Sequence, residues 1–176
     1  SELRSYREIA FQDPLTELRN RRYFDLRLGE ELNRAQRQPD NQFSLIAIDM
    51  DNLKYLNDHY GHSEGDRVLK WVAKFLKAQL RAQDICCRLG GDEFVILLPE
   101  IKDTLFACEV AKRIINSISS LTHIDKYPVK LGASVGIAVT NDNKLPYKTL
   151  INKADAAMYD VKRRGKNNFT LEDIRA

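Results

Sequence analysis

The feature that most restricts the fold of this 176-residue chain is a pair of short apolar segments joined by a glycine-rich turn. Residues 85–89 and 94–98 have the composition of strands, and Gly-Gly-Asp-Glu at 90–93 separates them, which predicts a β-hairpin with a four-residue turn. Helical patterns precede and follow the hairpin. A hairpin placed between strand–helix units is typical of a split-βαβ core. We therefore expect an α/β (α+β) fold with a mixed central β-sheet flanked by helices.

The other predicted elements supply the rest of such a sheet and its covering layers. Apolar runs at 43–50 and 129–140 predict buried strands, and 169–171 predicts an edge strand. Apolar periodicity predicts helices at 1–36, 53–58, 66–81, 103–119 and 146–164. The first of these is broken at Asp13-Pro14, where Asp13 is available as the N-cap of a second helix.

Length and composition restrict the class of protein. A chain of this length suits one domain, predicted at 13–176, behind a helical lead-in at 1–12 that could link it to an upstream signalling domain. The net charge of +3 is too small and too evenly spread to indicate nucleic-acid binding.

Three cysteines form neither a disulfide framework nor a zinc pattern, so we expect a cytoplasmic location. Because no apolar run reaches the roughly 18 residues of a membrane span, we expect no membrane contact from this segment, although the parent protein could be membrane-anchored.

Acidic residues end the first core strand and occupy the hairpin turn. Strand alternation places Asp49 and Asp51 on one face, where two carboxylates can hold a divalent cation. In the turn, Asp92 and Glu93 follow paired glycines and repel each other unless a cation or hydrogen-bond donors compensate. Acids also commonly end strands and occupy solvated turns. If the hairpin lies beside the first strand, Asp49 and Asp92 could meet in a site for metal-assisted phosphoryl chemistry.

Two further groups of polar residues could bind a nucleotide. Asn57 offers a donor and an acceptor and Asp66 offers acceptors, which together complement the edge of guanine. The alternative is that Asp66 is the N-cap of the long helix. Lys162 and Lys166, at the end of the last helix, could neutralise a triphosphate, or could simply be solvated cations that suit the helix dipole.

The segment Arg88-Leu89-Gly90-Gly91-Asp92-Glu93-Phe94 resembles the signature of the GGDEF family. Residues 13–22, 48–69, 132–138 and 154–167 resemble the other blocks of that family, in the same order, so the resemblance covers essentially residues 13 to 168. It implies a palm-like nucleotidyl cyclase fold and diguanylate cyclase activity. In that reaction two GTP molecules are condensed into cyclic di-GMP and two pyrophosphates, with Mg²⁺ (or Mn²⁺) as the cofactor.

The resemblance also implies a role for each matching residue. The metal would be held by Asp49, the Met50 carbonyl and Asp92. Asp92 would also be the candidate general base, supported by Glu93. Guanine would be bound by Asn57 and Asp66, and the phosphates by Asn52, Leu53, Lys54, Lys162 and Lys166. Each domain would hold one GTP, so catalysis would require a homodimer.

A second site is implied upstream of the hairpin, where Arg81 and Asp84 resemble the family's RxxD inhibitory motif. Together with Arg113 they would bind cyclic di-GMP as an allosteric ligand. The alternative is an ordinary ion pair, because Arg and Asp three residues apart are common neighbours. The chain also departs from the family pattern: Glu17 stands where glycine is usual, which would require a positive φ angle of a residue with a side chain.

Two rival interpretations remain open from the sequence. A catalytically silent GGDEF-like domain could sense cyclic di-GMP or GTP. A related palm enzyme could use ATP, but the Asn57 and Asp66 pair disfavours it, because adenine reverses the donor and acceptor pattern of guanine.

Overall fold

A computed structural model describes residues 2–38, 40–142 and 144–175. Ser1 and Ala176, at the ends of the predicted lead-in and domain, lie outside the described residues. The helices are α1 (Glu2–Phe11), α2 (Arg21–Arg37), α3 (Leu53–Tyr60), α4 (His62–Ala78), α5 (Thr104–Ser120) and α6 (Tyr147–Arg164). The strands are β1 (Gln42–Asp51), β2 (Ile85–Gly90), β3 (Glu93–Ile101), β4 (His123–Ile124), β5 (Tyr127–Pro128), β6 (Gly132–Thr140) and β7 (Asn168–Asp173).

The described strands form a five-stranded sheet in the order β2-β3-β1-β6-β7. Only β6 and β7 run parallel, and the remaining pairs are antiparallel, which confirms the predicted mixed sheet. The hairpin of β2 and β3 places its inner strand directly against β1, with Asp49 opposite Glu93. The turn of the hairpin therefore lies beside the acidic end of the central strand.

Strand β1 is apolar on both faces because helices cover the sheet on both sides. Ile46, Ile48 and Met50 pack in the larger core, with residues of α4 and α5. Leu45 and Ala47 pack in the second core, with residues of α2 and α6. The two cores hold the end of β1 at a fixed position between the helices that carry the other polar residues.

Several predicted boundaries are wrong, each for a local reason. The second helix begins at Arg21 rather than near Pro14, because Asn20 provides its N-cap by accepting the Tyr23 N–H at 3.1 Å. The hairpin turn is shorter than four residues, because β2 extends to Gly90 and β3 begins at Glu93. Residues 123–128, which lie outside every predicted element, form the small β4–β5 hairpin, and β6 begins at Gly132 rather than at 129.

The long helix begins at His62, four positions before the predicted start at 66. Gly61 adopts φ 90°, which lets the chain reverse between α3 and α4 within a single residue. Asp66 therefore lies inside α4, and its prediction as the N-cap is wrong. Glu17 takes a positive φ angle of 62°, the conformation that glycine adopts at least cost.

Within the described ranges, no helix combines the length and apolar character that a membrane crossing requires.

Candidate active site

The two carboxylates predicted to converge do so at the junction of β1 and the hairpin turn. The Met50 N–H donates to the Asp92 carbonyl at 3.2 Å, which fixes the turn against the end of β1. Burial, and next the negative charge of Asp92, raise the pKa of Asp49 from its ordinary value to about 6. The backbone bond of Met50 to Asp92, and the register that sets Asp49 opposite Glu93, place Asp92 next to Asp49, so the two residues form one acidic site.

The hairpin turn is held in place by a side chain that the sequence did not single out. Arg88 donates from Nε and Nη2 to the Gly91 carbonyl, at 3.0 and 2.7 Å, and pairs with Asp13 at 3.2 Å. Asp13 also accepts hydrogen bonds from the backbone and side chain of Thr16, and its pKa is lowered because these donors outweigh the effect of burial. Asp13 therefore supports, through Arg88, the turn that carries Asp92.

Lys162 reaches the acidic site from α6, although 112 residues separate it from Met50. Its ammonium lies 3.2 Å from Asp49 Oδ2 and 3.3 Å from Asp51 Oδ1, and it donates to the Met50 carbonyl at 3.1 Å. Burial works to lower the pKa of Lys162, but the two aspartates outweigh it and raise that pKa. The side chain predicted to face a triphosphate thus lies on the oxygens of the acidic site itself.

The oxygens present fit a hard divalent cation. Asp49 Oδ1 is buried without a hydrogen-bond partner. The other oxygen of Asp49 and the Met50 carbonyl both contact the Lys162 ammonium, and the charge of Asp92 acts on Asp49. No group of three or more His, Cys, Asp and Glu side chains suited to a metal occurs among the described residues. A cation here would rest on two carboxylates and one carbonyl, and Mg²⁺ commonly uses one or two carboxylates together with phosphate and water oxygens.

Asn57 and Asp66 lie on consecutive helices joined by Gly61. Asn57 Oδ1 is buried without a hydrogen-bond partner, whereas Asp66 is exposed on α4. A Cβ atom on Gly65 would lie 1.7 Å from Asn57 Oδ1, so only glycine permits this position of the asparagine side chain. The structure thus places a buried, unpaired amide oxygen on α3 and an exposed carboxylate on α4, the helix that follows.

The residues predicted to approach phosphate lie in two segments. Asn52 takes φ 68° and precedes the buried Leu53, which begins α3, while the Lys54 side chain is exposed. Asn52 Nδ2 donates to the Lys130 carbonyl at 3.1 Å, which ties this turn to the segment before β6. The second segment follows α6, where Lys166 is exposed and takes φ 65°.

Sequence reasoning placed Asp51 beside Asp49 as a possible cation ligand but missed the groups that bind its carboxylate. Asp51 is only 2% exposed and accepts hydrogen bonds from Ser134 Oγ at 2.7 Å and from the Asn167 N–H at 2.8 Å. One signal was available: Ser134 is a polar residue inside the otherwise apolar strand β6. Its partner could not be identified without the register that places Asp49 opposite Ser134.

The RxxD pair forms a compact unit at the start of β2. Arg81 donates from Nε and Nη2 to Asp84 Oδ1 at 3.0 and 2.7 Å, and from Nη2 to the Pro99 carbonyl at 2.8 Å. Its guanidinium lies 4.6 Å from the centre of the Phe106 ring. Arg113 is exposed on α5, and in the described structure no hydrogen bond or ion pair joins it to this pair. The structure therefore brings Arg81 and Asp84 together but leaves Arg113 apart.

A cleft of about 370 Å³ opens beside the pair. It is lined by Glu17, Leu18, Arg19, Tyr23, Lys77, Leu80, Arg81, Ala82, Asp84, Ile85 and Cys86. Arg19 lies with its guanidinium 4.5 Å from the centre of the Tyr23 ring. The cleft therefore combines cationic groups with one aromatic ring.

The comparisons with known proteins agree on one family. The model for "Diguanylate cyclase, GGDEF domain" matches residues 10–168. The chain is 40% identical over 163 residues to the bifunctional diguanylate cyclase/cyclic di-GMP phosphodiesterase MucR of Pseudomonas aeruginosa, covering 92% of this chain and 23% of that protein. It is 36% identical over 177 residues to the probable diguanylate cyclase DgcT of Escherichia coli, covering 99% and 38%. The chain thus spans well under half the length of these relatives.

The solved structures that resemble this chain belong to the same family. The coiled coil and GGDEF domain of DgcB from Caulobacter crescentus, in complex with c-di-GMP, superposes with a TM-score of 0.89 at 28% identity, covering 97% of this chain and 90% of that one. Diguanylate cyclase SiaD from Pseudomonas aeruginosa, in complex with its activator SiaC, gives a TM-score of 0.84 at 36% identity, covering 99% and 65%. The predicted fold class is thereby confirmed.

Proposed function

This chain belongs to the GGDEF family of diguanylate cyclases, and we propose on that basis that it condenses two GTP molecules into cyclic di-GMP and two pyrophosphates. The observation that carries the proposal is the convergence of Asp49 and Asp92 on one acidic site with an unpartnered buried oxygen. The test is direct. Wild-type protein incubated with GTP and Mg²⁺ should yield cyclic di-GMP and pyrophosphate. No product, even from a forced dimer that binds GTP, would favour a sensor instead.

In the proposed mechanism, Asp49, the Met50 carbonyl and Asp92 would hold Mg²⁺ (or Mn²⁺). The cation would lower the pKa of the attacking 3′-hydroxyl and neutralise charge on the α-phosphate. Asp92 accepts the proton of that hydroxyl, and the bond from the α-phosphorus to the pyrophosphate oxygen breaks as the new ester bond forms. Glu93 stands opposite Asp49 in the strand register, where it adds negative charge beside the same site.

We propose that the groups around the acidic site of Asp49 and Asp92 bind the triphosphate. The backbone at Asn52 and Leu53, with Lys54, faces the β- and γ-phosphates from the start of α3. Lys162 and Lys166 approach from the end of α6. In the structure Lys162 Nζ lies on Asp49 Oδ2, the Met50 carbonyl and Asp51 Oδ1. We infer that, when cation and nucleotide enter, it leaves Asp49 and the Met50 carbonyl and turns toward the phosphates while Asp51 stays beside it.

Guanine is proposed to bind between α3 and α4, to Asn57 and Asp66. Gly65→Ala tests this without removing either group, because the added Cβ would displace the Asn57 amide. We expect the KM for GTP to rise about tenfold or more, the size of one or two lost hydrogen bonds. Steady-state kinetics measures the change.

The matched control is Gly29→Ala, also inside a helix, where an added Cβ meets nothing within 4 Å. It should leave the KM unchanged and increase the free energy of unfolding by about 0.5–1 kcal/mol. If Gly65→Ala bound GTP as well as Gly29→Ala does, the guanine assignment would be wrong.

We further propose that cyclic di-GMP binds at Arg81, Asp84 and Arg113 and inhibits the enzyme. The cleft beside Arg81, with its cationic groups and aromatic ring, supports this proposal. Arg81→Ala should raise the amount of product that accumulates before synthesis stops, because a guanidinium contact to the ligand is lost. Progress curves with added cyclic di-GMP measure the inhibition constant.

Arg113→Ala provides the structural control, since this exposed side chain holds no partner in the described structure and its loss should not disturb the fold. It should also weaken inhibition. Arg175→Ala, which breaks an arginine–aspartate pair in another part of the protein, should not. Unchanged inhibition in both Arg81→Ala and Arg113→Ala would remove the regulatory assignment.

A further inference from the structure

Asp51 ends the central strand with a carboxylate in which each oxygen has a partner. Its Oδ1 accepts from Ser134 Oγ at 2.7 Å and lies 3.3 Å from the ammonium of Lys162. Its Oδ2 accepts the N–H of Asn167 at 2.8 Å. A buried carboxylate is tolerated when donors and a cation surround it in this way. Asp49 differs, because its Oδ1 has no partner.

Two of these contacts reach the basic end of α6. One is the ion pair with Lys162, and the other is the backbone bond to Asn167, directly after Lys166. The backbone between them has an unusual conformation, since Gly165, Lys166 and Asn167 have φ angles of 127°, 65° and 47°. Consecutive non-glycine residues with positive φ are unfavourable and persist only where surrounding contacts fix them. The bond from Asn167 to Asp51 is such a contact.

The start of β6 lies close to the segment that follows α6, residues 165–167. A Cβ atom on Gly132 would lie 2.9 Å from Asn167 Oδ1 and 3.0 Å from Asp51 Oδ2. Glycine therefore allows the segment after α6 to approach the carboxylate closely. Ser134, two residues further on, is completely buried and directs its hydroxyl to the same aspartate.

We propose that Asp51 is a positioning residue for the triphosphate rather than a ligand of the metal. It fixes Lys162 and the turn that carries Lys166, so that both cations are held ready for the β- and γ-phosphates. This inference rests on the proposed GTP site and adds to it the residue that holds the site's basic side in place. Ser134 is part of the same unit, because it orients the carboxylate.

A pair of serine variants separates positioning from stability. Ser134→Ala removes the hydrogen bond to Asp51, whereas Ser44→Ala removes a comparable buried bond, from Ser44 Oγ to the Ala138 carbonyl at 3.0 Å, away from the site. Both should lower the melting temperature. Only Ser134→Ala should weaken binding of GTP, by about tenfold, the size expected when a hydrogen bond to a charged group is lost.

Binding of GMP distinguishes the positioning role from a structural one, because a purely structural defect would weaken the binding of GTP and GMP alike. Calorimetric titration with GTP and with GMP, both with Mg²⁺, should show weakened GTP binding and unchanged GMP binding in Ser134→Ala, because GMP lacks the β- and γ-phosphates. A double-mutant cycle of Asp51→Asn with Lys162→Met should be strongly non-additive for GTP.

The outcomes distinguish this inference from the proposed function. If wild-type protein binds GTP but Ser134→Ala behaves as Ser44→Ala, or loses GTP and GMP binding equally, the positioning role is wrong. Additive effects of Asp51→Asn and Lys162→Met would also contradict it. If wild-type protein binds no GTP at all, the proposed function fails, and this inference fails with it.

Discussion

Replacing Asp92 by alanine is expected to abolish formation of cyclic di-GMP while leaving the fold intact. The variant loses the proposed general base, a role that contributes about 10²–10⁴-fold to a rate. It also loses one of the two carboxylates that would hold the cation, so the total loss should be at the upper end of this range or beyond it. Turnover is measured as cyclic di-GMP formed per unit time at saturating GTP.

The structure explains why stability should survive this change. Asp92 holds the turn through its backbone carbonyl, which accepts the Met50 N–H, and alanine keeps that carbonyl. Removing the side chain also removes a negative charge beside Asp49, so the pKa of Asp49 should fall back toward its ordinary value. We therefore expect a melting temperature equal to or above that of the wild type.

Asp103→Ala is a control with the opposite expected effects, lower stability and unchanged turnover. Asp103 caps α5 by accepting the Phe106 N–H at 3.1 Å, away from the proposed site. Its loss should cost about 1 kcal/mol of stability and leave turnover unchanged. Turnover of Asp92→Ala within tenfold of the wild type would contradict the proposed mechanism.

Local patterns predicted where Asp49 and Asp92 lie on their own elements, and left only the pairing of those elements open. An apolar run ending in acids predicts a buried strand with its carboxylates at one end, and a glycine-rich hairpin predicts a turn of limited reach. Placing the hairpin beside the strand then brings the two residues together, as the register of β1 and β3 confirms.

The place of Lys162 was not predictable in the same way. Its contact with Met50 spans 112 residues and depends on how α6 packs across the sheet. Similarly, the start of α4 depends on the φ angle of a single glycine, which the sequence permits but does not require. Contacts that depend on packing between distant elements, such as those of Asp51, appear only once the register of β6 against β1 is known.

Specific activity is expected to rise with protein concentration, because one chain offers one proposed guanine pair and one acidic site. Cyclic di-GMP contains two phosphodiester bonds between two nucleotides. Each 3′-hydroxyl must therefore reach the α-phosphate of a GTP held by a second domain, which requires a two-fold arrangement of chains. At concentrations well below the dissociation constant of the dimer, specific activity should be proportional to protein concentration.

A forced dimer tests the reason for this dependence. Fusing a parallel coiled coil to the chain ahead of α1 should make specific activity independent of dilution. Tyr6 and Ile9 of α1, each 70% exposed, leave that helix accessible for such a fusion. Sedimentation over the same concentration range checks that the unfused chain is monomeric where it is inactive. A chain shown to be monomeric and yet fully active would exclude the two-domain mechanism.

Mixing the wild type with Asp92→Ala then distinguishes a shared site from a dimer that merely stabilises each chain. If every product molecule needs an intact acidic site from both chains, an excess of Asp92→Ala should sequester wild-type chains in mixed dimers that cannot complete the ring. Activity should then fall faster than in proportion to the wild-type fraction. If dimerisation only stabilised independent sites, wild-type chains in mixed dimers would retain their turnover. The plot of activity against wild-type fraction therefore decides whether the acidic sites of two chains act on one product.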